Sequence, residues 1–144
     1  MSKSCELKNI IDVFDKEGYV LTQDKRKHPN YDANYFRISD IQWKGANGQM
    51  HKIHEEVVYK NDKIGVVLHH NGILRDFESC ILKMYPNKFK KDSFFLNGEV
   101  HEEGLIFYEC EYDNAKPNDV LIAYKNMHEK IRQAVKSCYN YDII

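Results

Sequence analysis

Between Ile53 and His70 the chain alternates apolar and polar positions with a period of two. Ile53, Val57, Tyr59, Ile64, Val66 and Leu68 fall on one side of an extended backbone, and Asn61-Asp62 breaks the run. Successive strand side chains point to opposite faces, so this pattern predicts an antiparallel hairpin with one face in the core and the other leaning toward solvent. A two-residue turn at 61 and 62 sets the register. It places His54 opposite His69 and Glu56 opposite Val67 on the polar face.

The period changes elsewhere. Leu7, Ile10, Ile11 and Phe14 follow a helical stripe that predicts a helix over about 4–17, closed by Gly18. Tyr19 to Thr22 reads as a short strand, and Gln23 to Ala33 as a long exposed loop. Asn34 to Lys44 reads as a strand, Gly45-Ala46-Asn47-Gly48 as a turn, and Gln49 to Lys60 and Lys63 to His70 as the next two strands. Asn71 suits a helix N-cap, with Leu74, Phe77, Ile81 and Met84 as the stripe that follows and Pro86 as its stop. A second hairpin is expected from Phe94–Leu96 and Leu105–Tyr112, with the acidic segment 97–104 as its loop and Ile106, Tyr108, Cys110 and Tyr112 on one face. Val120, Tyr124, Met127, Ile131 and Val135 mark a last helix from about Asn118 to Ser137, and the tail from Tyr139 is expected to pack onto the domain. The expected fold class is α+β in one domain, 1–144. An antiparallel sheet of about five strands, in the order α-β-β-β-α-β-β-α, carries helices on one face.

Composition narrows the class. With 42% hydrophobic and 30% charged residues in 144, the chain has enough apolar material for one ordinary core. No apolar run approaches a membrane span, and the polar start lacks a signal-peptide core, so a cytoplasmic location is expected. Cysteines at 5, 80, 110 and 138 form no C-x-x-C, which suits free buried thiols in a reducing compartment. Seventeen lysines against four arginines, with abundant Asn, Ile, Tyr and Phe, associate the chain with an A/T-rich bacterium or its phage.

Candidate chemistry is sparse. If His54 and His69 face each other with β-carbons about 5 Å apart, two imidazoles can share an ion, with Glu56 two residues along as a third ligand. That constellation would hold zinc or iron. The competing reading is a polar cross-strand pair on a wet sheet. Glu56 and Lys60 share a strand face but stand about 14 Å apart at roughly 3.4 Å per residue, too far for one catalytic role. There is no phosphate-binding, dinucleotide-binding or nucleophile-elbow signature. Cys80 and Cys110 read as core residues.

Charge is segregated although the net charge is -1. Lys25, Arg26 and Lys27 lie near Tyr31 and Tyr35. Lys83, Lys88, Lys90 and Lys91 interleave with Tyr85 and Phe89. Cations for phosphates and rings for bases are the ingredients of single-strand binding, which makes nucleic acid an alternative partner. Glu99, Glu102 and Glu103 form the opposite pole, and Trp43 and Tyr35 offer aromatic area beyond what one core face needs. Exposed rings beside segregated charge make protein-binding surfaces. The function expected first is therefore a small regulator or inhibitor without catalytic activity, of the immunity-protein or phage anti-defence kind, needing no cofactor. A metal-dependent or nucleic-acid-binding protein is the alternative.

Overall fold

A six-stranded antiparallel sheet, in the strand order 1-2-3-4-6-5, carries three helices on one face. The computed structural model describes residues 3–24, 33–45, 48, 50–60, 62–70, 75–96 and 99–142. Along the chain come α1 (Lys3–Lys16), β1 (Thr22–Asp24), β2 (Ala33–Lys44), β3 (Met50–Lys60) and β4 (Lys63–His70). Then follow α2 (Arg75–Met84), β5 (Lys90–Leu96), β6 (Glu99–Glu111) and α3 (Pro117–Tyr139). The α+β class and element order match the sequence expectation, except that the short strand expected at 19–22 forms at Thr22–Asp24 and brings the sheet from about five strands to six. The expected N-cap at Asn71 and most of the 23–33 loop lie outside the described residues.

Local chemistry explains the element ends. Gly18 takes φ +88°, the left-handed conformation that closes α1, and its N–H bonds the Asp15 carbonyl. Asp62 takes φ +59° in the turn between β3 and β4, where the primed hairpin geometry demands positive φ. α3 begins with Pro117 at its first turn, where a missing N–H costs nothing. It ends on Asn140 at φ +54°, whose N–H bonds the Lys136 carbonyl.

The hairpin register is the expected one: His54 pairs with His69, Glu56 with Val67 and Val57 with Val66. Ile53, Val57, Ile64, Val66 and Leu68 are fully buried against Ile10 and Phe14 of α1, Phe77 and Ile81 of α2, and the α3 stripe from Val120 to Val135. The opposite face, expected to be wet, is not. Tyr35, Val58 and Val67 are at most 5% exposed and form a second cluster with Ile106, and Glu56 and His69 beside them are inaccessible. The sheet is buried on both faces here, so its strands lose the simple alternation of a half-wet hairpin.

Two bulges explain the remaining departures. The β2–β3 register shifts between Arg37 and Ser39, which inserts Ile38 as an extra residue. Parity flips there: Phe36 faces the helices before it, Ile41 and Trp43 after it. A second shift, opposite Val66 and Val67, does the same to β6. Ile106 therefore leaves the face it was expected to share with Tyr108, Cys110 and Tyr112, and packs on Tyr35, Val58 and Val67. The second hairpin is also tighter than expected. Leu96 pairs with Glu99, so the acidic segment belongs mostly to β6 and is no long loop. Finally, Cys80 of α2 and Cys138 of α3 are joined in a disulfide, against the expectation of free thiols there; Cys110 is free. Closing a 58-residue separation is worth roughly 4 kcal/mol in the chain-entropy account.

The two buried faces make an expectation. Val57→Ala and Val58→Ala should each lower unfolding free energy by roughly 1–3 kcal/mol in denaturant titrations. A solvent-facing Val58 would change it by less than about 0.5 kcal/mol.

Candidate functional site

The strongest convergence of polar groups lies on the helix-facing side of the sheet, at a residue the sequence reading passed over. Glu55 sits between Ile53 and Val57 in the inward phase of β3 and is 0% exposed. Burying a carboxylate costs several kcal/mol unless donors replace its water. Three do so. Ser39 donates from Oγ to Oε1 at 2.6 Å. His128 donates from Nδ1 to both carboxylate oxygens at 2.9 and 3.0 Å. Tyr124 donates from its hydroxyl to Oε1 at 3.3 Å.

Each donor has a structural reason to be there. The Ile38 bulge turns Ser39 toward the helices, opposite Glu55 in the register. Tyr124 and His128 are four residues apart on α3, hence on one face of it. Phe14 and Tyr19 close over the Tyr124 ring at centroid distances of 5.8 and 5.1 Å. Burial, together with the Glu55 charge, pushes the Tyr124 hydroxyl well above its ordinary value of 10.0. The His128 side chain is 26% exposed, so the cluster runs from the core to the surface of α3. Chemically, a carboxylate fixes an imidazole through Nδ1, which sets its tautomer and orientation. The same contacts anchor α3 to β3.

On the other face the expected trio divides into two pairs. Glu56 meets His69, Oε2 to Nδ1 at 3.0 Å, and both are fully buried. Tyr35 stands over His69 at a ring distance of 6.0 Å. His54 turns instead to Asp40 on β2, at 2.5 Å from Nδ1 to Oδ1. Arg37 and Lys52 approach the same carboxylate at 3.7 and 3.6 Å. Burial works to raise the Asp40 carboxyl, but the His54 bond and the three nearby cations outweigh it and hold it below 3.8. So His54, His69 and Glu56 share a face as read from the sequence, yet they do not converge on one point. Among the described residues no three His, Cys, Asp or Glu side chains are grouped to hold a metal ion.

The surface expectations need correction. Trp43 is 0% exposed, packed between Phe77 and Tyr139 at 5.2 and 5.4 Å, and Tyr35 is 5% exposed on the opposite face. Neither ring can meet a partner. Positions 35 and 43 have the same parity, but the bulge between them sends the two rings to opposite faces, and each is buried there. Glu99, Glu102 and Glu103 are in β6, but their side chains, like all of Lys25, Arg26 and Lys27, lie outside the described residues. Lys83, Lys88, Lys90 and Lys91 are exposed. The rings among them are not available for stacking on bases. Phe89 is 7% exposed against Phe107, and half-buried Tyr85 donates to Gln133 at 2.6 Å.

Three outcomes are expected. Glu55→Ala removes the common acceptor of three donors and should cost about 3–5 kcal/mol in chemical unfolding. In the same site, the raised Tyr124 value means a stabilising contribution that is full below pH 10 and is lost as pH rises further. Tyr124→Phe should therefore show a shallower alkaline loss of stability than the parent. The sign is opposite for Asp40. Its depressed value gives stability that is present above pH 3.8 and lost as pH falls through the lower folded value. Asp40→Asn should destabilise at about pH 5, and the two proteins should converge in acid, as read from thermal midpoints across pH.

Compared with protein-family models, with curated proteins and with solved structures, the chain matches none of them.

Proposed function

We propose that this chain is a non-catalytic cytoplasmic regulator that binds an acidic protein surface through the lysine-rich corner where α2 gives way to β5. The observation that carries the reading is the state of four lysines. Lys83, Lys88, Lys90 and Lys91 are exposed within nine residues of chain, around the turn at Asn87 with φ +69°. Lys91 reaches Glu78 at 3.5 Å. Among the described residues, no carboxylate comes within ion-pair distance of Lys83, Lys88 or Lys90. Like charges held close repel, and an acidic partner relieves that repulsion while gaining speed of encounter.

The buried rings argue for a protein over a nucleic acid. Single-strand binders combine cations with exposed aromatic platforms, and Phe89 is committed to the core side of this turn. Lys130 lies over the Tyr85 and Phe107 rings at 5.5 and 5.6 Å, using these aromatic faces within the protein. An inhibitor that competes for a basic-groove ligand, or one that caps an acidic patch on an enzyme, fits this surface. Glu55 and its donors serve in this reading as the anchor of α3.

The test is a charge reversal at the corner, Lys88→Glu with Lys90→Glu, in affinity capture from an A/T-rich bacterial lysate followed by titration of the captured protein. The reversed protein should bind at least roughly tenfold more weakly, the 1.4 kcal/mol that two exposed ion pairs of up to about 1 kcal/mol each can supply. Equal capture by both proteins would remove the lysine corner from the reading. Stronger retention of a single-stranded oligonucleotide, with affinity falling steeply in salt, would replace the acidic protein with nucleic acid.

A further inference from the structure

The Cys80–Cys138 disulfide is unlike a core staple in its surroundings. Both half-cystines are only partly buried, one in the middle of the ten-residue α2 and the other in the last turn of α3. Beside the bond, the outer side of α2 forms a shallow, wide-open hollow floored by Ser79, Cys80, Leu82 and Lys83. Lys83 follows Cys80 by three residues, on the same side of the helix, and its exposed ammonium stands at the rim of the hollow that Cys80 lines. Its surroundings combine access for a small nucleophile, a cation that attracts thiolates, and a disulfide.

We infer that Cys80–Cys138 is a thiol–disulfide exchange site for a low-molecular-mass thiol, entered through the hollow at Cys80. A thiolate drawn by Lys83 attacks the Cys80 Sγ. The new sulfur–sulfur bond forms as the Cys80–Cys138 bond breaks, and the electron pair leaves on the Cys138 sulfur, which takes a proton from water. A second thiolate then attacks the outer sulfur of the mixed disulfide. It releases Cys80 as a thiolate and the small thiol as its own disulfide. Two thiols are oxidised and one protein disulfide is reduced to two cysteines, so electrons balance.

The fold limits what reduction does. α2 keeps Phe77 and Ile81 fully buried in the main core, so losing the covalent tie leaves its apolar attachment in place. Reduction therefore frees two thiols on a folded protein. The chain's single tryptophan reports on this, because Trp43 packs against Phe77 of α2 and against Tyr139, the neighbour of Cys138. Global unfolding would bring Trp43 from full burial into water and shift its emission strongly to the red.

The experiment equilibrates the full chain in a ladder of reduced and oxidised glutathione, followed by acid quenching, alkylation and peptide mapping, with tryptophan emission recorded on each sample. The expected result is reduction of the 80–138 bond while Trp43 emission stays native, with a glutathione adduct on Cys80 at intermediate ratios. Lys83→Gln should slow the first exchange roughly two- to fivefold at low ionic strength, and about 1 M salt should abolish the difference. Reduction that occurs only together with the red shift of unfolding would mark the bond as a structural staple and overturn the inference. An adduct confined to Cys138, or an unchanged rate in Lys83→Gln, would overturn the route through the hollow. An absence of the 80–138 bond at every ratio would overturn the site itself.

Discussion

One extra residue in β2 governs most of what is particular to this structure. A strand has only two faces, so the inserted Ile38 reverses which face every later position sees. Before it, Phe36 looks toward the helices; after it Ser39, Ile41 and Trp43 do. Without the insertion Ser39 would point away from Glu55, and Asp40, now opposite His54, would turn to the core. The bulge thus gives a hydroxyl to the buried carboxylate and sends a charged group to the side where His54, Arg37 and Lys52 can offset it. It also buries the indole that reports on α2.

Glu55 ties sheet and helix layers by something other than apolar contact. Hydrophobic burial is non-directional, so a smooth apolar interface leaves the axial position of α3 weakly specified. A carboxylate with three fixed donors allows one position. Tyr124 and His128 must come to it together, and their four-residue spacing sets the rotation of the helix about its axis. The desolvation of the charge is costly, and a well-packed apolar replacement of the whole cluster would be similarly stable or more so. What the cluster supplies is a unique register between α3 and β3. A second buried pair, His69 with Glu56 at 3.0 Å, lies within the hairpin on the far face.

The sequence revealed those features that depend on period and turn chemistry. Asn61-Asp62 and the alternation around it put His54 against His69 correctly, because a two-residue hairpin leaves one register. The α3 stripe was equally plain, since every residue of it is buried. Glu55 was legible too, in principle. A carboxylate in the inward phase between Ile53 and Val57 must find donors, and that requirement points to polar residues on the covering helix. The tight second hairpin had its signal in Asn97-Gly98, a strong two-residue turn pair, which the run of acids around it obscured. The bulges carried no such mark. Neither Ile38 nor Phe107 is a glycine, and nothing local says that one residue of an aromatic, β-branched run will go unpaired. Reading Trp43 and Tyr35 as exposed followed directly from assuming unbroken alternation over one wet face. The cysteine pairing was hidden for another reason: 58 residues and two helices separate the sulfurs, and only the packing of α2 beside the end of α3 brings them together.

That packing joins the two surface features into one mechanical unit. α2 is short, and its buried side carries Phe77 and Ile81 while its outer side carries Lys83 at the start of the lysine corner. Cys80 lies between these sides, so the covalent bond to Cys138 and the apolar anchor restrain the helix from different directions. A ten-residue helix has little stability of its own, and its orientation is whatever its attachments impose. Were one of the two attachments cut, the other alone would set the direction in which its C-terminal turn leads into Asn87, Lys88 and Lys90. Electrostatic recognition by a handful of exposed lysines depends on how tightly those cations are held in one arrangement, because each loosened side chain must be ordered again on binding. The lysine corner is therefore mechanically continuous with the disulfide, through a helix too short to act independently of either.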